Sequence, residues 1–124
     1  MARNMSFAMT TQQFQDRTKT VTRRFGWWFL NPGDIVMGVE KSMGLKKGEK
    51  IKHLGLIQIV STNRESIFDV TREDCIKEGF PDFYPDDFID MMSDHYPKRI
   101  FRPPLGDMIN RIEFKYMEKK DGNR

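Results

Sequence analysis

Hydrophobic and polar positions change their period several times along the 124 residues, and each change predicts an element. Ser6-Phe7-Ala8-Met9 predicts a short strand. Thr10 or Thr11 then stands where a cap would open a short helix through Phe14 and Asp16. Residues 17–26 mix charges with threonine and valine, whose branched β-carbons favour extended backbone. An aromatic run, Trp27 to Leu30, ends in Asn31-Pro32-Gly33-Asp34, a strong turn signal. Ile35 to Glu40 predicts a strand in which Gly38 allows close approach. A basic loop with Gly44 and Gly48 spans 41–52 and predicts a hairpin connection. His53 to Thr62 follows as a strand that Leu54, Leu56, Ile57, Ile59 and Val60 make largely buried. Thr71 and Asp74 have the spacing of an N-terminal cap, so a helix runs from about Arg72 to Glu78 and stops at Gly79. Pro85 and Asp86 open a second helix whose core contacts are Phe88, Ile89, Met91 and Met92. Pro97, Pro103 and Pro104 keep 97–107 irregular. Ile109 to Met117 closes the chain as a strand, with Ile112 and Phe114 on one face and Arg111 and Glu113 on the other. The polar stretch 118–124 is expected to fray.

This order gives an α+β domain with a small, mainly antiparallel sheet of four or five twisted strands, able to curl into a barrel. Residues 1–124 fit one domain by length. With 38% hydrophobic and 12% aromatic side chains there is material for one core, and disorder throughout is excluded. No apolar run approaches the ~18 residues of a membrane span, so no membrane partner is expected. Residues 1–10 lack a signal-peptide stretch. The single cysteine, Cys75, excludes an internal disulfide and a Cys-rich zinc site, so a reducing, cytoplasmic setting is the expectation.

The net charge of +3 hides an uneven distribution. Residues 17–52 hold nine basic and three acidic side chains, 65–94 two and ten, and 98–124 eight and four. An acidic block thus lies between two basic ones. If the fold joins the basic segments, they can form a face that meets phosphates; ordinary solvated surface fits the same counts.

Most candidate chemistry is weak. His53 and His95 are far apart and lack ligand partners at helical spacing, so no metal site is predicted. Asp82, Asp86, Asp87 and Asp90 do not match a calcium loop and suit a helix start instead. Cys75 has Glu73, Asp74 and Glu78 as neighbours, which oppose a thiolate, and reads as a packed helix residue. Gly44 and Gly48 lack the spacing of a phosphate loop. Lys19-Thr20-Val21-Thr22-Arg23-Arg24 is more informative. An amine beside two guanidiniums resists protonation, so Lys19 is a candidate base and Thr22 a candidate nucleophile. A strand edge with its charges in water fits the same spacing. Glu78 sits at a helix C-terminus, where the dipole disfavours a carboxylate, and so needs another reason, such as pairing with Lys19, Arg23 or Arg24. Adjacent Trp27 and Trp28 point to opposite faces of an extended segment, one to the core and one free to stack on a base.

Four stretches in order carry a family resemblance: Lys19 to Arg24, Pro32-Gly33-Asp34 before a strand, Glu78-Gly79-Phe80-Pro81 after a capped helix, and Ile112-Glu113-Phe114 in the last strand. Together, over residues 5–117, the chain resembles the ASCH (activating signal cointegrator homology) domain of the PUA-like superfamily. The small stand-alone bacterial or phage-borne versions are the nearest in character. The resemblance implies a small β-barrel with flanking helices and a cleft, RNA-related chemistry, and a bacterial or phage-infected host cell. One bacterial branch is an amidohydrolase that removes the acetyl group of N4-acetylcytidine. By that resemblance Thr22 is the nucleophile, Lys19 its activator and Glu78 the acid/base or polariser, with no metal or cofactor. The expected partners are RNA, a single-stranded nucleic acid or a modified nucleoside. Arg17, Arg23, Arg24, Trp27, Trp28, Lys41 and Arg111 are the candidate binding residues. Arg17 departs from the family, which often has glycine there; a bulky cation is expected to narrow the cleft or to contact phosphate. A non-catalytic nucleic-acid-binding module is the alternative. An adaptor that binds protein through the acidic 82–94 segment is a third reading.

Overall fold

The computed structural model describes residues 2–98 and 108–118. Most of the expected irregular stretch, 99–107, and nearly all of the tail, 119–124, lie outside the described residues. The strands are β1 (Arg3–Ser6), β2 (Val21–Arg24), β3 (Ile35–Val39), β4 (His53–Ser66) and β5 (Met108–Tyr116). They form one sheet in the order β1-β3-β4-β5-β2. β1 runs parallel to β3, and the three other pairings are antiparallel. The sheet curls into a half-barrel with β1 and β2 as its edges, so the mainly antiparallel α+β architecture stands. Arg24 bridges the two edges by donating from Nη2 to the Ser6 carbonyl at 2.6 Å.

Two strand expectations need correction. The first strand lies at Arg3–Ser6, not at 6–9, because pairing stops at Phe7: its N still donates to Val39 O at 2.8 Å, but its carbonyl accepts from Thr10 N at 3.0 Å and Thr11 Oγ1 at 2.9 Å. Those bonds wind Ala8–Thr10 into a 3-10 turn that runs into helix α1 (Thr11–Gln15). β4 is longer than expected and is not largely buried. Ile57 and Ile59 are enclosed, whereas Leu56 and Val60 are exposed. One face of the sheet meets the core and the other meets solvent, so even a strand rich in apolar residues alternates. A register shift between Ile59 and Ser61 strengthens the local bend.

Other local signals act as their chemistry requires. Asp34 accepts from Asn31 N at 2.9 Å in the turn before β3. Glu40 N donates to Lys52 O at 2.9 Å and closes the β3–β4 hairpin. Helix α2 (Arg72–Lys77) has a reciprocal cap between Thr71 and Asp74 and ends at Glu78, with Gly79 at φ +98°. Helix α3 (Pro85–His95) buries Phe88 and Met92, with Ile89 and Met91 partly covered.

Apolar side chains gather in two clusters. One, with Met5, Phe7, Phe14, Val36, Ile57, Ile112 and Phe114, fills the curl of the sheet. The second, with Ile67, Val70, Cys75, Phe88, Met92 and Ile109, lies under α2 and α3. The pocket described next opens where they meet.

Candidate active site

The link between α1 and β2 is pinned against the end of α2. Thr20 N donates to Lys77 O at 2.8 Å, and Gln13 Nε2 to Gly79 O at 3.1 Å. Gly79 lies so close to Gln13 that a β-carbon there would come within 2.8 Å of its side chain. From β5 the Tyr116 hydroxyl donates to the Lys19 carbonyl at 2.6 Å. With its backbone held in this way, Lys19 sends its amine to the C-cap residue of α2. Nζ donates to Glu78 Oε1 at 2.7 Å and to the Glu78 carbonyl at 2.8 Å. One ammonium thereby answers both the carboxylate and a carbonyl left over by the helix end.

Thr22 stands on β2 two residues before Arg24, on the same face of the strand. Arg24 Nε donates to Thr22 Oγ1 at 2.9 Å. Lys19, Thr22 and Glu78 are only 2%, 3% and 3% exposed. All three border one pocket of about 160 Å³. Phe7 from the first cluster, Phe88 and Met92 from the second, and Tyr96 supply apolar wall.

Burial pushes the Lys19 ammonium below its ordinary value; Glu78 pulls it back, and Arg24 and Arg23 add to the lowering. Burial also lowers Arg24, against the opposing influence of Tyr96 and Glu78. The Arg24 guanidinium has no carboxylate partner among the described residues. It is the excess positive charge of the cluster.

The two basic segments do converge, since Arg23 on β2 lies opposite Arg111 on β5. They do not make a phosphate-facing surface there, because the acidic block folds over them. Asp74 takes Arg23 Nη2 on one oxygen at 2.7 Å and Arg111 Nη2 on the other at 3.0 Å. Arg23 also reaches Glu65 at 3.2 Å and Glu78 Oε2 at 3.3 Å. Burial raises the Asp74 carboxyl, but the Arg23 charge and hydrogen bonds from Arg111 and Thr71 outweigh it and leave it lowered. The Cys75 thiol is pushed up by burial, which suits a packed residue rather than a nucleophile.

The remaining sequence candidates lie elsewhere. Arg17 is not among the residues lining the pocket; its guanidinium sits over the Tyr116 ring, 5.5 Å from the centroid. Its φ of +62° explains why glycine suits this position. Trp27 is half-buried against the first cluster, and its carbonyl accepts from Asn110 Nδ2 at 3.1 Å. Trp28 is 50% exposed, with the Arg64 guanidinium 5.3 Å from its ring. Lys41 pairs with Glu49 at 3.5 Å in the hairpin loop. No group of three or more potential metal ligands occurs among the described residues. No described helix is long and apolar enough to cross a membrane.

Sequence reasoning missed Phe7 and Tyr96 as pocket residues and Glu65 and Asp74 as partners of the arginines. Asp74 was legible as a cap, but nothing local marks its second role. Tyr96 follows α3 with no pattern that distinguishes it from a packed aromatic.

No family model matches the sequence, and no curated protein matches it. Among solved structures, a protein of the DUF984 family from Enterococcus faecalis has a similar fold, with a TM-score of 0.67 at 11% identity, covering 94% of this chain and 77% of that one. An ASCH domain from Lactobacillus crispatus gives a TM-score of 0.60 at 14% identity, covering 92% of this chain and 78% of that one. The curled sheet with short flanking helices is a mixed α+β architecture. The chain has an ASCH-like fold.

Proposed function

We propose that this protein is a metal-independent amidohydrolase that removes the acyl group from an N4-acylated cytidine-type base. The observation that carries the reading is the meeting of Lys19, Thr22 and Glu78 at one small pocket beside an arginine with no carboxylate partner. A pocket of about 160 Å³ is well below the ~300–1,000 Å³ of drug-sized sites, so it admits the reacting base and leaves the sugar at the mouth. Phe88 and Tyr96 offer apolar surface to that base.

In this mechanism Thr22 Oγ1 attacks the acyl carbon as its proton passes to the neutral Lys19 amine. The carbonyl electron pair moves onto oxygen, and Arg24 faces the resulting oxyanion. Collapse restores the carbonyl and breaks the C–N bond. The leaving nitrogen takes a proton that Lys19 relays through Glu78, across their 2.7 Å contact. Water then attacks the threonyl ester with Lys19 as base, releasing the carboxylic acid and restoring the hydroxyl. Lowering of the Lys19 ammonium favours the first step.

The test is incubation with N4-acetylcytidine and chromatography of the products. Wild-type protein should release cytidine, Thr22→Ala should release none, and Lys19→Met should be slower by about 100- to 10,000-fold. Cytidine no higher with wild type than with Thr22→Ala removes this substrate.

A second reading rests on a different observation, the exposed Trp28 with Arg64 stacked on it. It is binding of single-stranded RNA or DNA without catalysis, one base stacking on the indole for ~1–3 kcal/mol. Under it, Trp28→Ala weakens an oligonucleotide about tenfold or more in a titration, and affinity falls as salt rises. Equal binding by the variant and the wild type rejects it.

A further inference from the structure

We propose that Arg23 is a positioning residue: by holding one oxygen of Glu78 it leaves Lys19 as the member of the buried cluster that gives up a proton. This inference rests on the catalytic reading above and extends it to a residue that need not touch substrate.

The geometry is a row of alternating charge. Lys19 Nζ meets Glu78 Oε1 at 2.7 Å, and Glu78 Oε2 meets Arg23 Nη1 at 3.3 Å. Arg23 Nη2 meets Asp74 Oδ2 at 2.7 Å and Glu65 Oε2 at 3.2 Å, and Asp74 Oδ1 meets Arg111 Nη2 at 3.0 Å. The Arg23 side chain is fully enclosed, and its Nε has no hydrogen-bond partner. Such a buried network is weak grounds for stability, since desolvation offsets the attraction. One end of it, however, reaches the amine on which the reaction depends.

An isolated Lys19–Glu78 pair would hold the amine protonated, because an opposite charge in hydrogen-bond contact favours the ammonium. Arg23 opposes this twice, drawing on the same carboxylate and repelling the ammonium. A guanidinium does not lose its proton in a protein, whereas a buried lysine does. With negative charge limited, the arginine stays charged and the lysine yields. Arg24 on β2 also acts on Lys19, and Tyr96 and His95 are the other titratable residues lining the pocket. Arg24 acts in the same direction as Arg23. Tyr116 engages only the Lys19 carbonyl. Asp74, Glu65 and Arg111 act on Lys19 through Arg23.

The sign of the response separates this role from a structural one. In Arg23→Gln the Lys19 midpoint should rise by tenfold or more in proton affinity. In Asp74→Asn it should fall, because Arg23, freed from one carboxylate, turns more fully to Glu78. Loosened packing would instead hydrate Lys19 and move both variants upward. The measurement is NMR titration of the lysine side-chain methylenes in the full chain, with Lys19 assigned by loss of its signal in Lys19→Arg. Opposite shifts support the proposal; shifts in the same direction, or none, overturn it. If Arg23→Gln does not fold, the sign in Asp74→Asn decides alone. The acid limb of the rate on N4-acetylcytidine should move with each midpoint. Opposite shifts without any turnover by the wild type would reject the substrate and keep the electrostatic role. Turnover with same-direction shifts would do the reverse.

Discussion

Arg17 and Lys19 are two residues apart, and their burdens are of different kinds. Arg17 carries backbone strain, with φ at +62°, a region that costs a residue with a β-carbon about 1–2 kcal/mol. Its guanidinium recovers part of this over the Tyr116 ring, a contact of ~0.5–1 kcal/mol when exposed. The two effects separate in a pair of variants. Arg17→Ala loses the ring contact and keeps the strain; Arg17→Gly loses both. Chemical denaturation should find Arg17→Gly more stable than Arg17→Ala by about 1 kcal/mol, and equal stabilities would refute the strain. Lys19 carries an electrostatic burden, and its partner Glu78 shows what sequence can say. A carboxylate at the wrong end of a helix dipole was legible as needing a cation, and the cations it meets are Lys19 and Arg23. That Arg23 would be spent on three carboxylates was not legible, because Glu65, Asp74 and Glu78 come to it from β4 and α2.

At the scale of elements, the site depends on how closely α1 lies on the sheet. Gly38 and Gly55 face each other across β3 and β4, and the Phe14 ring occupies the space a side chain on Gly38 would fill. A β-carbon on Gly38 would stand 2.5 Å from the Phe14 ring. Gly38→Ala should therefore cost about 1–3 kcal/mol by overpacking, and Phe14→Leu in the same chain should recover part of it. Thermal unfolding of the single and double variants checks this; losses that simply add would sink the argument. Because α1 leads into the link that carries Lys19, Gly38→Ala should also lower the proposed deacylation. Gly38 was readable as a point of close approach. The ring that approaches it was not, since Phe14 is 24 positions away in sequence.

Across the whole molecule, the charge around the pocket bears on the proposed substrate. Met9, Met91 and His95 border it and also border a shallow groove lined by Asp82, Asp87, Asp90 and Asp94. The pocket carries the excess positive charge of Arg24, and the groove that adjoins it is negative; if a ligand enters across that groove, it meets the negative charge first. A neutral nucleoside crosses that approach freely, whereas a phosphate is repelled over the ~30 Å screening length of 0.01 M salt and much less over the ~8 Å of 0.15 M. N4-acetylcytidine 5′-phosphate should thus be deacylated more slowly than the nucleoside at low salt, with the gap closing as salt rises. A faster reaction on the phosphate would refute this reading of the surface.

The sequence by itself determined the elements and their punctuation: the cap of α2, the turn before β3, the hairpin loop and the apolar face of β5. These follow from bonds and torsions within a few residues. It also marked Lys19, Thr22 and Glu78, through local charge crowding and the resemblance to the ASCH domain. Only the tertiary structure decided that β1 pairs with β3, that β4 shows Leu56 and Val60 to water, and that the acidic block folds onto the two basic strands. Those outcomes depend on which distant segments bury each other's surface and neutralise each other's charge, and no local pattern records that choice.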